Sequence, residues 1–378
     1  MIIGILKEKP YERRVSMQPA SISSLIQKKK VRVLIEKSAG DAAFLPDKDY
    51  DGIADGIVDY EQLVEQSDLL VRISTPDDDL MGRMRSNQIL VGVLNPLCNM
   101  PLVKKLLNHK ITAFSMDMVP RTTRAQSMDV LSSMATVAGY KAVLDAAMHL
   151  PHFFPMFMTA AGTIAPAKVL VIGAGVAGLQ AIATARKLGA RVEAFDVRSA
   201  AKEEVESLGA KFVQVEGALE NSQAGGYAIE QTEAFKKRQA QVIHEHAVKS
   251  DVVICSAQIP GKWAPRILKK ETVQAMSPGS VIVDLAASSG GNCELTERYK
   301  NIVYNQVTII GNTSYTSTLQ ADASKMFGHN VMNFLDLLID DEGNLNLNFE
   351  DEVIRESCVS HNGEYVSKRI KEFYTEST

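Results

Sequence analysis

The segment Val169-Leu170-Val171-Ile172-Gly173-Ala174-Gly175-Val176-Ala177-Gly178 sets three glycines at the spacing G-x-G-x-x-G, directly after an apolar run and at the start of a helical pattern. Each glycine has a separate physical task. Gly173 permits a tight turn, Gly175 lets a pyrophosphate approach the backbone, and Gly178 allows close packing of helix on strand. The helix opening at Val176 supplies amide donors and the positive end of its dipole. A glycine-rich turn without ligand is the plainer alternative, disfavoured by the strand-turn-helix context. Asp196 ends the next apolar run, and a carboxylate there accepts hydrogen bonds from adenosine ribose hydroxyls while repelling a 2′-phosphate. That favours NAD(H) over NADP(H). Two other readings stay open: Asp196 caps the helix that follows, and Arg198, just past Val197, pairs with a 2′-phosphate. The turn Ser256-Ala257-Gln258 and residues 286–292 follow later strands, at the carboxyl ends where open α/β sheets bind ligands. Gly225-Gly226-Tyr227 places glycine hinges beside an aromatic, which fits a lid over nucleotide and equally an ordinary surface loop.

Oxidation of an alcohol, amine or acid moves a proton as well as a hydride and needs a general acid or base beside the nicotinamide. The seven histidines offer poor candidates. His244 and His246 are two apart on a charged helix and point to different faces, His149 and His152 flank a proline in an apolar stretch, and His109 and His361 stand alone in polar surroundings. A denser polar cluster lies at residues 121–133. Arg121, Gln126, Asp129 and Ser132 suit the holding of a carboxamide and a ribose, which is positioning and not proton transfer. A helix N-terminus capped by Asp129 or Ser127 explains the same residues equally well.

The elements that must position these groups follow from periodicity. Short apolar runs at 2–6, 31–35, 69–73, 90–94 and 111–114 alternate with helical stretches, the pattern of a parallel sheet flanked by helices. Val130, Met134, Val137, Val143 and Ala147 mark one long helix over 129–149, ended by Pro151. A second alternation puts strands at 168–172, 191–195, 211–215, 251–256, 280–285 and 307–310, the six-strand tally of a full Rossmann sheet. Met326, Val331, Phe334, Leu335 and Leu338 mark another long helix, expected to return the chain to its first domain. The expected fold class is α/β, with two Rossmann-like, doubly wound parallel-sheet domains and an interdomain cleft. Residues 1–128 plus 320–378 form a discontinuous N-terminal domain, and residues 129–319 form the NAD(H)-binding domain led by an interdomain helix.

Composition narrows the class further. At 378 residues the chain is long enough for two domains, and 46% hydrophobic residues, 23% charged residues and a net charge of -4 describe a globular protein without a field for phosphate backbones. No nucleic-acid partner is expected. Four scattered cysteines without a C-x-x-C imply neither a disulfide framework nor a metal site. Residues 169–185, the longest apolar run, are too short and too glycine-rich to span a bilayer, and no signal peptide is expected at the N-terminus. The expected protein inserts directly into no membrane.

Residues 121–133 with Ala138-Gly139-Tyr140, residues 171–185, Asp196-Val197-Arg198, Gly225-Gly226-Tyr227, Ile259-Pro260-Gly261-Lys262, Pro278-Gly279-Ser280 and Gly290-Gly291-Asn292 together resemble the NAD(H)-binding alpha subunit of proton-translocating nicotinamide nucleotide transhydrogenase. The likeness covers nearly the whole chain, and Gly4-Ile5-Leu6-Lys7-Glu8 with Glu12-Arg13-Arg14-Val15 fits the start shared across the alanine dehydrogenase superfamily. The resemblance implies a homodimer whose NAD(H) faces NADP(H) on a partner beta subunit, with hydride passing directly between nicotinamides. Membrane-spanning partner subunits would couple this step to proton translocation, so the chain would be cytoplasmic and peripheral on the inner membrane. It implies that Arg121, Gln126, Asp129 and Ser132 shape the nicotinamide site with Tyr140 nearby, that Asp196 holds the adenosine ribose, and that Gly226 and Tyr227 belong to a mobile loop over the nucleotide. It further implies cofactor contacts at Gly173, Gly175, Val176, Gly178, Val197, Arg198, Ala257 and Gln258. An alanine dehydrogenase-like oxidoreductase and a non-catalytic NAD(H) sensor are the rival readings. Against the first, the positions matching that enzyme's lysine and histidine are Ser74 and Asn95. The sequence departs from the family pattern at Ser288-Ser289, where an acidic residue is expected, and at Tyr315-Thr316-Ser317-Thr318, where proline and arginine are expected.

Overall fold

The computed structural model describes residues 1–215, 217, 232–258 and 262–375. The chain divides into two compact units, Met1–Met134 with Thr316–Thr378, and Ala135–Tyr315. The fold class is mixed α/β, with a mainly parallel sheet in each unit.

In the first unit, β1 (Ile2–Ile5), β2 (Arg32–Glu36), β3 (Gly56–Val58), β4 (Leu69–Val71), β5 (Ile89–Gly92) and β6 (Thr112–Ser115) pair in parallel in the order β6-β5-β4-β1-β2-β3. Strands covered on both faces need apolar side chains on both, which is why these runs do not alternate with polar residues. Ile3, Ile5, Val33, Ile35, Val71 and Val91 pack on one face with Phe327, Val331, Phe334 and Leu335 of the helix Gln320–Leu338. Leu34, Leu70 and Leu90 pack on the other with Leu63, Leu80, Leu102 and Leu106. Two late strands, Cys358–His361 and Glu364–Tyr365, extend the sheet beyond β6, the first antiparallel to it. Neither these strands nor β3 follow from periodicity, since segments of two to four residues carry too few side chains to show a period of two.

The second unit begins within the helix Val130–His149 and continues into a hairpin of β7 (Phe157–Thr159) and β8 (Gly162–Ile164), whose strand residues are all exposed. Its main sheet contains β9 (Lys168–Ile172), β10 (Arg191–Phe195), β11 (Lys211–Phe212), β12 (Val252–Cys255), β13 (Val281–Asp284), β14 (Asn301–Tyr304) and β15 (Val307–Ile310), in the order β11-β10-β9-β12-β13-β15-β14. The six strands read from the sequence are present, in a Rossmann order that reverses between β9 and β12. The seventh, β14, is antiparallel to β15 and joined to it by Asn305 and Gln306, at φ of 48° and 60°. Two successive positive φ values make the tight hairpin turn that suits twisted strands.

Glycine fixes how the helices meet in this unit. A Cβ on Gly139 would lie 2.1 Å from the carbonyl oxygen of Ala177, so the helix Val130–His149 rests directly on the first turn of the helix Val176–Lys187. Gly82, by contrast, lies in the helix Asp78–Arg83 with open space where its Cβ would be. Gly139→Ala should therefore lower the melting temperature by several degrees, whereas Gly82→Ala should stabilise by about 0.5–1 kcal/mol through helix propensity. Thermal unfolding followed by circular dichroism checks both, and an alanine at 139 without effect would deny the backbone contact.

Candidate functional site

The carboxyl ends of β9 and β10, beside the reversal in strand order, hold the glycine turn and Asp196. Gly173 has a φ of +94°, and its Cβ would fall 3.0 Å from both the Ala257 amide nitrogen and Ser256 Oγ. Ser256 Oγ donates to the Gly173 carbonyl at 2.9 Å, tying the turn after β9 to the turn after β12. A Cβ on Gly178 would lie 1.9 Å from the Gly173 oxygen, so the helix Val176–Lys187 starts hard against the strand. Gly175 is exposed with open space where a Cβ would project, and Val176 beside it is 39% exposed. The turn therefore offers bare backbone and a helix N-terminus, which fits a pyrophosphate.

Asp196 does not cap the helix Ala201–Ser207, whose N-cap is Ala200. Its Oδ2 accepts from the Ala174 amide at 2.7 Å, and Oδ1 accepts from the Arg198 amide at 2.9 Å. Arg198 closes a bidentate ion pair on the same carboxylate through Nε and Nη2. Val197, between them, is half-buried.

On the other side of the reversal, Asn292 joins the loops that follow β12 and β13. Its Oδ1 accepts from the Ala257 amide at 3.0 Å, and its Nδ2 donates to the carbonyls of Ala257 at 2.8 Å and Pro265 at 2.9 Å. Gln258 is exposed, and its Nε2 donates to the Leu285 carbonyl. Beneath this loop Asp284, fully buried, accepts from the Ala286 and Cys293 amides and from Thr296 Oγ1. Burial pushes its carboxyl above the usual range despite those donors. Trp263, 79% exposed, lies over Gly290, whose Cβ would meet the indole at 2.7 Å. The organising roles of Asn292 and Asp284 and the exposure of Trp263 are additions from the structure. A carboxylate closing an apolar strand was the available signal for Asp284.

In the first unit, Thr123–Met128 forms a short 3-10 turn with Arg121 and Gln126 exposed near and within it. Asp129 caps the helix Val130–His149: its Oδ1 accepts from the Ser132 amide at 2.9 Å and its Oδ2 from Ser132 Oγ at 2.6 Å. Capping is thus realised, by Asp129 and not Ser127, whose carbonyl instead accepts from Asn330 and Asn333. Arg124 pairs with Asp351 at 2.6 Å. Tyr140, in the second unit, is 38% exposed. Gly226 and Tyr227, with Gly225 and residues 259–261, lie outside the described residues.

Proton carriers are scarce at the corresponding edge of the first sheet. Ser74 donates to Glu8 through both its amide and its hydroxyl, and the Asn95 amide donates to Asp117. Burial raises the carboxyls of Glu8 and Asp117, but both are occupied holding strand ends: Glu8 accepts from the Ile73 amide and Asp117 from Ser115 Oγ. Four of the seven histidines are likewise engaged in structure, His246 with Glu193, His244 with Thr272, His149 with the Asp145 carbonyl and His361 with Thr112. The departures from the family pattern also find local roles. Tyr315 Oη donates to Asp145 at 2.6 Å, Ser317 Oγ links the Tyr11 carbonyl and the Arg13 amide, and Ser289 Oγ donates to the Ala286 carbonyl.

Residues 4–138 match the family model for the N-terminal domain of alanine dehydrogenase/PNT, and residues 142–368 match that for its C-terminal domain. The chain is 44% identical over 376 residues to an NAD(P) transhydrogenase subunit alpha polypeptide of Rhodospirillum rubrum, covering 97% of this chain and 98% of that protein. Among solved structures, a transhydrogenase from Sinorhizobium meliloti superposes with a TM-score of 0.85 at 36% identity, covering 98% of this chain and 100% of that one. An L-alanine dehydrogenase shares the fold, with a TM-score of 0.83 at 22% identity and full coverage of both chains.

The Asp129 cap yields a direct test. Asp129→Ala should lower stability by about 1 kcal/mol, and Asp129→Ser, which keeps a cap, should recover most of it. Urea denaturation measures the difference, and an alanine variant as stable as the parent would show that the cap carries no weight.

Proposed function

The chain belongs to the alanine dehydrogenase/PNT family and to its NAD(P) transhydrogenase alpha subunits, and on that premise we propose that it binds NAD(H) and presents it for direct hydride exchange with NADP(H) held by a partner subunit. The observation that carries this reading is the turn at Gly173–Gly178, bare at Gly175 and followed at the end of β10 by Asp196. Bound there, NADH supplies the hydride. The amides at the start of the helix Val176–Lys187 would hold the pyrophosphate, Asp196 and Val197 the adenosine ribose, and Ala257 and Gln258 the far half of the dinucleotide. Arg121, Gln126, Asp129, Ser132 and Tyr140 are proposed to orient the nicotinamide and exclude water. The cap geometry gives Asp129 and Ser132 a fixed orientation from which to do so.

Exchange between two nicotinamides moves a hydride and leaves no proton to carry, so it makes no demand on a general acid or base at the reacting carbons. This accords with Ser74 and Asn95, which offer no side chain titrating near neutrality. It also weighs against amino-acid oxidation and for the transhydrogenase reading. Coupling to proton translocation is proposed to lie with membrane-spanning partner subunits; among the described residues, no helix is long and apolar enough to cross a membrane. The chain would then sit on the cytoplasmic face of the inner membrane through those partners. A homodimer is part of the proposal. Met158, 75% exposed, and Phe157 and Ile164 on the hairpin β7–β8 supply apolar surface suited to a second copy.

Titration of the purified chain with NADH and NADPH, read by nicotinamide fluorescence, tests the reading. The expected result is NADH-selective binding, with no turnover when alanine or pyruvate with ammonia is added. Pyruvate-dependent oxidation of NADH would return the chain to amino-acid chemistry.

A further inference from the structure

The carboxylate that should receive the ribose is already full. An ionised carboxylate accepts about four hydrogen bonds, two at each oxygen. Asp196 has them: Oδ1 takes the Arg198 amide and Nε, both at 2.9 Å, and Oδ2 takes the Ala174 amide at 2.7 Å and Arg198 Nη2 at 3.0 Å. Its side chain is 8% exposed, so water cannot readily substitute for a lost partner. Two of the four donors are backbone amides fixed by the glycine turn and by the end of β10. The other two belong to one guanidinium, 29% exposed, on a flexible stem. Arg198 Nη2 also donates to the Ala174 carbonyl at 3.1 Å, so the guanidinium bridges the carboxylate and the glycine turn.

We propose that Arg198 is a stand-in for the adenosine ribose: its guanidinium occupies the two acceptor positions on Asp196 that the ribose diol takes, and must be displaced for NAD(H) to bind. The inference rests on the reading that the second unit binds NAD(H). Its basis is competition for one acceptor. Two ribose hydroxyls and two guanidinium N–H groups cannot share the same pair of lone-pair sites, and because the other two donors are backbone amides fixed by the fold, it is the guanidinium that must give way. The displaced cation stays tethered two residues away, close to the ribose 2′ position. There it offsets the repulsion that Asp196 alone would exert on a 2′-phosphate, so Arg198 also sets how strongly the site rejects NADP(H). One residue thereby weakens NAD(H) binding and softens selection against NADP(H).

The test is the affinity of Arg198→Ala and Arg198→Lys for NADH and NADPH, measured by fluorescence titration. Arg198→Ala should bind NADH about fivefold more tightly, the scale of losing one partly exposed ion pair, and NADPH more weakly, so the ratio of the two affinities widens. Arg198→Lys keeps the charge but not the two-point grip, and should bind NADH between parent and alanine variant while retaining the parent affinity for NADPH. Unchanged or weaker NADH binding by Arg198→Ala would overturn the proposal. Should that variant fail to fold, Arg198→Lys binding NADH no better than the parent would do the same. NADH binding by the parent chain in the same titration upholds the underlying reading whichever way the variants fall, and its absence would remove that reading itself.

Discussion

The proposed nucleotide site depends on backbone meeting backbone at places where a side chain is not accommodated. The helix Val130–His149 touches the first turn of the helix Val176–Lys187 at Gly139, that helix touches the turn after β9 at Gly178, and the turn lies against Ala257 at Gly173. A methyl group at Gly139 or Gly178 would break its contact and one at Gly173 would press its neighbours apart, and together the three contacts fix where the amides at Val176 point. The positive φ of Gly173 is part of the same constraint, because only a residue without a Cβ adopts it beside another chain at no cost. The proposed binding at Gly175 would therefore need little rearrangement of main chain, since the protein interior has already fixed that geometry during folding.

Side chains complete what the glycines begin. Ser256, Asn292 and Asp284 tie the loops after β9, β12 and β13 to one another by hydrogen bonds between side chain and backbone. Such bonds set loop positions without using loop length or bulk, and they leave the exposed backbone at Gly175 and Gln258 available. Asp196 belongs to the same scheme, with the difference that two of its four donors come from a side chain, that of Arg198. The chemistry proposed here asks for this kind of site. Hydride exchange between two nicotinamides depends on placement, and Glu8, Asp117, His244 and His246 are committed to structure.

Much of this was legible in the sequence because the signals are local. The G-x-G-x-x-G turn, the six principal strands of the second sheet and the long helices at Val130–His149 and Gln320–Leu338 each follow from spacing within a few residues. Where the sequence was silent, partners lie far apart in the chain. The strand Cys358–His361 finds β6 across more than two hundred residues, and Asn292 reaches back to Ala257. The polar cluster at 121–133 was ambiguous for another reason: a helix cap and a ligand contact use the same residue types. The structure establishes the cap at Asp129. The ion pair at Asp196 was half legible, since Arg198 was visible as a neighbour, but its occupation of both carboxylate oxygens depends on turn geometry that spacing does not encode.

The most direct test of the central claim follows one atom. The chain is combined with its NADP(H)-binding partner, NADP⁺, and NADH carrying deuterium at the transferred position of C4, and the NADPH formed is analysed by mass spectrometry. Direct transfer at a site without acid-base chemistry predicts that the deuterium arrives in NADPH undiluted by solvent hydrogen. Loss of the label to water, or no labelled NADPH from a chain that binds NADH, would contradict the account.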